Sequence, residues 1–199
     1  MKKILCLAVL SFALLGLGFS QGTPSQDDCL KDVKDKRGVM KPWKKGSRYT
    51  GKYRNVFREA GYRQADIDAK LAKAYYDVFE GPDKVYFEVG DSMAYVTDMK
   101  NHDIRSEGLS YGLMVAVQLN KKGVFDRIWR YAKEYMQHQE GPREAYFAWN
   151  LKPETGAKNA AGSASDGEFY FVTALLFASN RWGNDAGIDY YREARRILD

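Results

Sequence analysis

The sequence has little of the chemistry that usually announces a metal centre or a disulfide scaffold. Among 199 residues there are two histidines and two cysteines. Cys6 sits inside an apolar N-terminal run and Cys29 stands alone downstream, so no internal disulfide and no Cys/His metal spacing is present. No apolar run reaches the ~20 residues of a spanning helix. The longest, "ILCLAVLSFALLGLGF", ends at Phe19. Neither charge dominates, with 31 basic against 26 acidic residues and a net +5, of which Lys2 and Lys3 supply two. A hydrophobic content of 45% with 29% charged residues excludes a disordered chain. A length of 199 residues is that of one ordinary domain.

What is present at the N-terminus is a processing signal. Lys2 and Lys3 precede the apolar run, and Gly18 and Ser20 place small residues at the −3 and −1 positions before Gln21. Residues 1–20 are expected to be a secretory signal peptide, with a periplasmic or extracellular destination and no membrane association after cleavage. Cys6 is too early, and Cys29 too far from the apolar run, for a lipid anchor. Residues 21–48 read as a polar, turn-rich lead-in. Its basic stretch from Lys31 to Arg54 is interleaved with Trp43, Tyr49 and Tyr53. Such a patch could track a nucleic-acid backbone. The exported destination argues against nucleic acid, leaving a solvated extension.

From about residue 49 to Asp199 helical signals dominate. In "ADIDAKLAKAYYDVFE" the apolar positions Ile67, Leu71, Ala74, Tyr75 and Val78 repeat with period 3.6, and Gly81 and Pro82 end the helix. "VYFEVG" and "AYVTD" are β-like but too short for a large sheet. "RSEGLSYGLMVAVQLN" then runs apolar on every side through Leu109, Tyr111, Leu113, Met114, Val115, Ala116, Val117 and Leu119, which predicts burial on every side. "GVFDRIWRYAKEYMQH" is one-faced. Val124, Phe125, Ile128, Trp129, Ala132, Tyr135 and Met136 oppose Asp126, Arg127, Arg130, Lys133 and Glu134. The alternation repeats: "SDGEFYFVTALLFASNRW" is apolar nearly all round, and "GIDYYREARRILD" groups Ile188, Tyr191, Ala194 and Leu198. Enclosed helices alternating with amphipathic ones predict an all-α fold of inner and outer helical layers, an α/α toroid rather than a plain bundle. A closed double ring needs about a dozen helices and roughly three hundred residues or more. Five or six helical signals are present, and "RRILD" closes in mid-pattern. The expectation is therefore the N-terminal part of an incomplete toroid, with a small closed bundle as the alternative.

Two carboxyls open the enclosed helices in matching ways: Glu107 in "RSEG" and Asp166 in "SASDGE". With the inner helices parallel, their N-termini gather on one face, where unsatisfied N–H groups and partial positive charge suit acids. Ordinary helix-start chemistry accounts for each acid singly. Ser165 with Glu168 fits a capping box, and Ser106 fits an N-cap for the first helix. The glycines that follow, Gly108 and Gly167, are poor helix formers, and a missing side chain there makes sense where a ligand approaches closely. Desolvation beside an apolar helix favours a protonated carboxyl, whereas Arg105, if close, favours an ionised one. Asp98, Asp103 and His102 precede Glu107 and read first as turn and surface residues. His138 ends an amphipathic helix, where a cation suits the dipole.

Three stretches, "VGDSMAYVTDMKNHDIRSEGLSYGLMVAVQLNKKGVFDRIWRYAKEYM", "GPREAYFAWNL" and "ASDGEFYFVTALLFASNRWG", resemble the family 8 glycoside hydrolases, most of all their xylan-active members. The likeness runs from about Thr50 to Asp199. It implies an (α/α)6 barrel with an acidic groove across one face and an inverting mechanism. It implies Glu107 as general acid, Asp166 as the residue that binds and distorts the sugar at the cleavage point, and Trp149 as a stacking platform beside it. The catalytic base of the family is an aspartate farther downstream, with no counterpart in these 199 residues. Two positions depart from the common pattern, Ser165 where proline is frequent and Leu109 where methionine is.

The chemistry suits that likeness. An inverting hydrolase needs one protonated acid and one ionised base about 6.5–9.5 Å apart, so that a water fits between them. Flat apolar pyranose faces suit aromatic rings such as Trp149, Phe147 and Tyr111. Tyr111 and Arg105 join Trp149 as candidate substrate-binding residues. The expected partner is xylan or a xylo-oligosaccharide, with no cofactor and no metal, and the complete protein is expected to be a monomer. The same fold acting on β-1,4-glucan or chitosan, and a non-catalytic fragment, are the competing readings.

Overall fold

The computed structural model describes residues 54–185 and 187–199. The expected signal peptide, the lead-in and nearly all of the basic stretch lie outside the described residues. The chain divides into two units, Met1–Val56 and Phe57–Asp199, and every element from the second helix onward belongs to the latter.

A short helix α1 (Val56–Glu59) precedes α2 (Gln64–Phe79). The periodic pattern in α2 does form a helix, but only its last residue, Phe79, is buried, and Leu71 and Val78 stand exposed. The helix is held at its C-terminal end. There Phe79 stacks on Tyr75 at 4.7 Å and meets Tyr86 at 5.5 Å. The N–H groups of Glu80 and Gly81 both donate to Tyr76 O, closing the last turn ahead of Pro82.

The short β signals have become part of something larger. Strands β1 (Tyr86–Val89), β2 (Met93–Asp98), β3 (Asp103–Arg105), β4 (Asn150–Leu151) and β5 (Lys158–Ala160) form one antiparallel sheet in that order. The all-α expectation is corrected here: the described residues are helix-rich and include a five-stranded sheet. β3 to β5 are two or three residues long, too short for period-2 alternation to register in sequence. The β1–β2 turn uses Gly90 at φ +55°. In the β2–β3 turn Asp98 Oδ1 accepts the N–H groups of Lys100 and Asn101, and His102 adopts φ +51°. That is an Asx-type turn, for which a short acidic side chain is suited.

Four further helices build two hairpins. α3 (Ser106–Gln118) is followed by α4 (Lys122–Tyr131), which runs on into a π-helical turn at Ala132–Met136. α5 (Ser165–Trp182) is followed by α6 (Tyr190–Leu198). α3 packs on α5, with α4 behind the former and α6 behind the latter. Tyr111 of α3 meets Tyr170 of α5 near their starts, while Trp182 Nε1 and Arg181 Nε donate to Asn120 Oδ1 just beyond their other ends. The two inner helices are therefore parallel and in register. The outer layer is tied together by Tyr190 of α6 to Asp126 of α4 and by Lys133 Nζ of the π-helical turn to Glu193 Oε2 of α6 at 2.7 Å.

The core lies between these layers. Leu109, Leu113, Ala116 and Val117 of α3 are buried against Phe171, Val172, Leu175 and Ala178 of α5 and Phe125, Ile128 and Trp129 of α4. Each Leu, Val, Ile and Phe among them contributes about 1.5–3 kcal/mol on burial, and each alanine less. Burial on every side is not what the inner helices show. Tyr111 and Val115 on α3, and Phe169, Tyr170 and Phe177 on α5, remain exposed. Two assignments on the outer helices are also corrected. Asp126 faces inward and accepts the Tyr190 hydroxyl. On α6 the buried set is Tyr190, Ala194 and Ile197, and Leu198 is exposed, because the helix begins at Tyr190 and turns its i, i+4, i+7 stripe to α4 and α5.

Candidate functional site

The residue that ends β3 and the residue that starts α3 are neighbours in the chain, which sets Arg105 and Glu107 at one edge. Arg105 keeps extended backbone at φ −116°, ψ 148° just ahead of the helix. Its Nε and Nη2 donate to Asp103 Oδ1 and Oδ2 at 2.9 and 3.1 Å, and its Nη1 lies 3.4 Å from Asp98 Oδ2. The Asp103 carboxylate, more than Asp98 or Glu107, raises the guanidinium above its ordinary value. Asp98 in turn is held below the usual carboxylate range by the side chain and N–H of Asn101, then by Lys100 N–H and Arg105. Asp103 also accepts Asn150 Nδ2 at 2.6 Å, and Asn150 Oδ1 accepts Asn159 Nδ2 at 2.8 Å. One chain of polar contacts thus ties β2, β3, β4 and β5 together. The Arg105 guanidinium carbon lies 5.7 Å from the centre of the Trp149 ring, within cation–π range.

Ser106 is fully buried, and its hydroxyl donates to Glu107 Oε2 at 3.2 Å. Its N–H donates to the carbonyl of Trp149 at 3.0 Å. Ser106 is the first residue inside the helix rather than the cap, and no side chain caps α3. The capping box at the start of α5 is likewise absent. Ala164 is the cap residue, and the Glu168 side chain reaches instead to the N–H of Phe147 at 2.8 Å. Asp166 Oδ1 accepts the N–H of Gly167 at 3.0 Å, so part of its role is local.

The two glycines differ in what they do. A Cβ on Gly108 would meet Val96 O at 3.6 Å, an ordinary contact. A Cβ on Gly167 would lie 2.5 Å from Ser106 Oγ and 2.9 Å from Ser106 Cβ. The missing side chain at Gly167 serves the approach of α5 to α3, not that of a ligand. Gly112, deeper in, serves instead the approach of α3 to β2 and α4, where a Cβ would come within 2.9 Å of Val96 Cγ2 and 3.0 Å of Ile128 Cδ1.

Because the helix starts touch, Glu107 and Asp166 share one end of the molecule. Tyr111 reports both: its hydroxyl is pushed above the ordinary value first by partial burial, then by the charges of Asp166 and Glu107. Its ring stands edge-on to Tyr170 at 4.9 Å. A pocket of about 320 Å³ opens here, lined by Thr97, Asp98, Arg105, Glu107, Gly108 and Tyr111. Trp149 and Asp166 are not among the lining residues: the Trp149 ring lies under the Arg105 guanidinium, and Asp166, at the start of α5, is near enough for its charge to act on Tyr111. His102 lies in the β2–β3 turn outside the lining. His138 Nε2 is 3.0 Å from Ala161 O and takes no part in the pocket. Thr97, Asn150 and Glu168 were not picked out from sequence as site residues. Asn150 carried one signal, a polar residue inside the apolar run "YFAWNL".

An open pocket with carboxyls at one end, an arginine and an aromatic platform can bind a neutral polyol and deliver a proton to it. The known proteins that this chain resembles act on such molecules by name. It is 50% identical over 157 residues to the reducing-end xylose-releasing exo-oligoxylanase Rex8A of Paenibacillus barcinonensis, a match covering 77% of this chain and 41% of that protein. It is 44% identical over 163 residues to a reducing end xylose-releasing exo-oligoxylanase of Halalkalibacterium halodurans, covering 80% and 42%. The structure of Rex8A complexed with xylose superposes with a TM-score of 0.71 at 50% identity, over 77% of this chain and 41% of that one. The chain thus spans about two fifths of the length of the curated relatives it matches. Residues 92–197 match the family described as glycosyl hydrolases family 8, and the chain belongs to that family.

Proposed function

We propose that the complete protein is a secreted, inverting glycoside hydrolase that cleaves β-1,4-xylosidic bonds in xylan or xylo-oligosaccharides. Glu107 is the proton donor to the leaving oxygen. Asp166 binds and distorts the sugar at the cleavage point, Trp149 and Tyr111 offer ring faces, and Arg105 borders the binding trough. The base that activates water is an aspartate outside these 199 residues, in a barrel of the (α/α)6 kind that they begin. No cofactor takes part, and the complete protein works as a monomer.

The observation that carries this reading is the parallel, in-register packing of α3 and α5, which sets Glu107 and Asp166 at one end around Tyr111. The names of the xylo-oligosaccharide-active relatives point to the same substrate class.

The test is xylose release from xylotriose by the product of the complete reading frame, with the anomeric configuration of the new reducing end followed by NMR. Loss of a positioned general acid lowers turnover by about 10²–10⁴-fold. Glu107→Gln is expected to show that loss. Unchanged turnover in that variant removes Glu107 from the mechanism, and retention of configuration removes inversion. Cello- and chito-oligosaccharides assayed in parallel decide whether the same site prefers glucan or chitosan.

A second reading has one observation in its favour, the exposed apolar faces of α3 and α5. By itself the 199-residue chain is a partial toroid that turns over nothing.

A further inference from the structure

Glu168 is a carboxyl at this end of the molecule that the mechanism above leaves unused. It stands in the first turn of α5, two residues beyond Asp166. Its Oε1 accepts the Phe147 N–H at 2.8 Å, while its Oε2 is enclosed and has no partner among the described residues. A helix-start glutamate serving its own helix would do neither.

The segment that it holds is the one that carries Trp149. Three successive N–H groups there donate to three different parts of the fold: Phe147 to Glu168 Oε1, Ala148 to Met136 O at 2.9 Å, and Trp149 to Gly162 O at 2.8 Å. Two of these acceptors are main-chain carbonyls, and the first is the only side chain. It is also the only one of the three that joins the segment to α5. The Phe147 ring packs on Phe171 at 4.6 Å and on Trp129 at 5.8 Å, contacts that tolerate sliding. A directional hydrogen bond does not tolerate it to the same degree. The Trp149 carbonyl then receives the Ser106 N–H, and the Ser106 hydroxyl holds Glu107. A continuous set of contacts therefore leads from Glu168 to Trp149, and from Trp149 to the start of α3.

We propose that Glu168 is a positioning residue, whose hydrogen bond to Phe147 sets the Trp149 ring and, through the Trp149 main-chain carbonyl, Ser106 and Glu107 at a fixed height against Asp166. The inference rests on reading Trp149 as the sugar platform. Glu168 itself touches no substrate.

The test uses Glu168→Leu, Glu168→Gln, Trp149→Ala and the Glu168→Leu/Trp149→Ala double variant of the complete gene product. A small displacement of a substrate-positioning group costs about ten- to a hundredfold, and Glu168→Leu is expected to raise KM for xylotriose by that amount. Glu168→Gln keeps an oxygen that accepts from Phe147 and is expected to restore most of the loss. In the Trp149→Ala background Glu168→Leu is expected to add little to KM, because the ring that carries its effect on binding is already gone, whereas the path through the main-chain carbonyl of residue 149 acts on kcat in both backgrounds. An equal KM penalty in both backgrounds, or none in the native one, overturns the proposal. Should Glu168→Leu fail to fold, Glu168→Asp, one methylene too short to reach Phe147, takes its place with the same expectation.

Acrylamide quenching of Trp149, taken as the difference between matched chains with and without that residue, needs no turnover. It is expected to rise in Glu168→Leu and to return in Glu168→Gln. Unchanged quenching overturns the link. Changed quenching in a protein that releases no xylose keeps the link and discards the substrate reading.

Discussion

Ser106 on α3 and Gly167 on α5 approach so closely that a Cβ on the glycine would stand 2.5 Å from the serine hydroxyl oxygen. This contact is where the two inner helices are pinned at their starts, and Glu107 and Asp166 are the next residue on one side and the preceding residue on the other. The distance between the candidate catalytic carboxyls is thus governed by a packing contact between two residues that carry no charge.

Gly167→Ala tests that pin. Ser106 is fully buried and cannot swing away. Overpacking of this kind costs about 1–3 kcal/mol. The urea midpoint is expected to fall accordingly, and Ser106→Gly in the same chain is expected to recover part of it. An unchanged midpoint in Gly167→Ala would contradict the close approach.

The Glu168 carboxyl makes stability depend on pH. Burial pushes it from the ordinary 4.5 up to about 7, against a smaller opposing pull from the Phe147 N–H. The folded chain therefore holds this proton more tightly than the unfolded one. Its contribution to stability is fully present below about pH 4.5 and is lost as pH rises through about 7. Glu168→Gln has no proton to lose. The melting temperature of the Gln variant minus that of the native protein is expected to increase between pH 4.5 and pH 8, by several degrees. A flat difference across that range would mean that the carboxyl is not buried as described.

Arg105 lines the pocket and sits over the Trp149 ring, with the guanidinium fixed there by Asp103. A cation–π contact at such a site contributes about 0.5–1 kcal/mol. Arg105→Lys cannot reproduce the two-pronged bond to Asp103. Its Kd for xylotriose, measured by calorimetry in the Glu107→Gln background, is expected to weaken by a few fold. Trp149→Ala, which removes the proposed platform altogether, is expected to weaken it by more. Equal affinities in all three chains would take Trp149 out of the binding site.

The open faces of α3 and α5 make a prediction about the 199 residues expressed alone. Phe169 is 58% exposed, Tyr111 46% and Phe177 42%, an apolar surface larger than single scattered residues. Contiguous exposed apolar patches drive association. This chain is expected to bind ANS and to associate with rising concentration, and to release no xylose. A monodisperse, ANS-silent chain would show that the faces are covered.

Much of the helical organisation was legible from periodicity, because a 3.6-residue repeat follows directly from helix geometry. Phe125, Ile128, Trp129 and Met136 are buried as their spacing predicts, and Leu109, Leu113 and Phe171 are buried too. Glu107 and Asp166 stood out because an acid followed by a glycine opens both inner helices. The sheet was only half legible. β1 and β2 are long enough to show in sequence, whereas β4 is two residues and is created by its pairing with β3.

What the sequence determined by itself is therefore which residues form helices, which of their faces are apolar, and which family the pattern resembles. These are local properties of spacing and composition. Tertiary structure alone decided that Gly167 is needed for Ser106 rather than for a ligand. It alone took Glu168 from a presumed cap to Phe147, twenty-one residues away, and turned Asp126 inward to Tyr190. Each of those outcomes depends on a partner brought near by packing, and distance along the chain carries no record of which surfaces will meet.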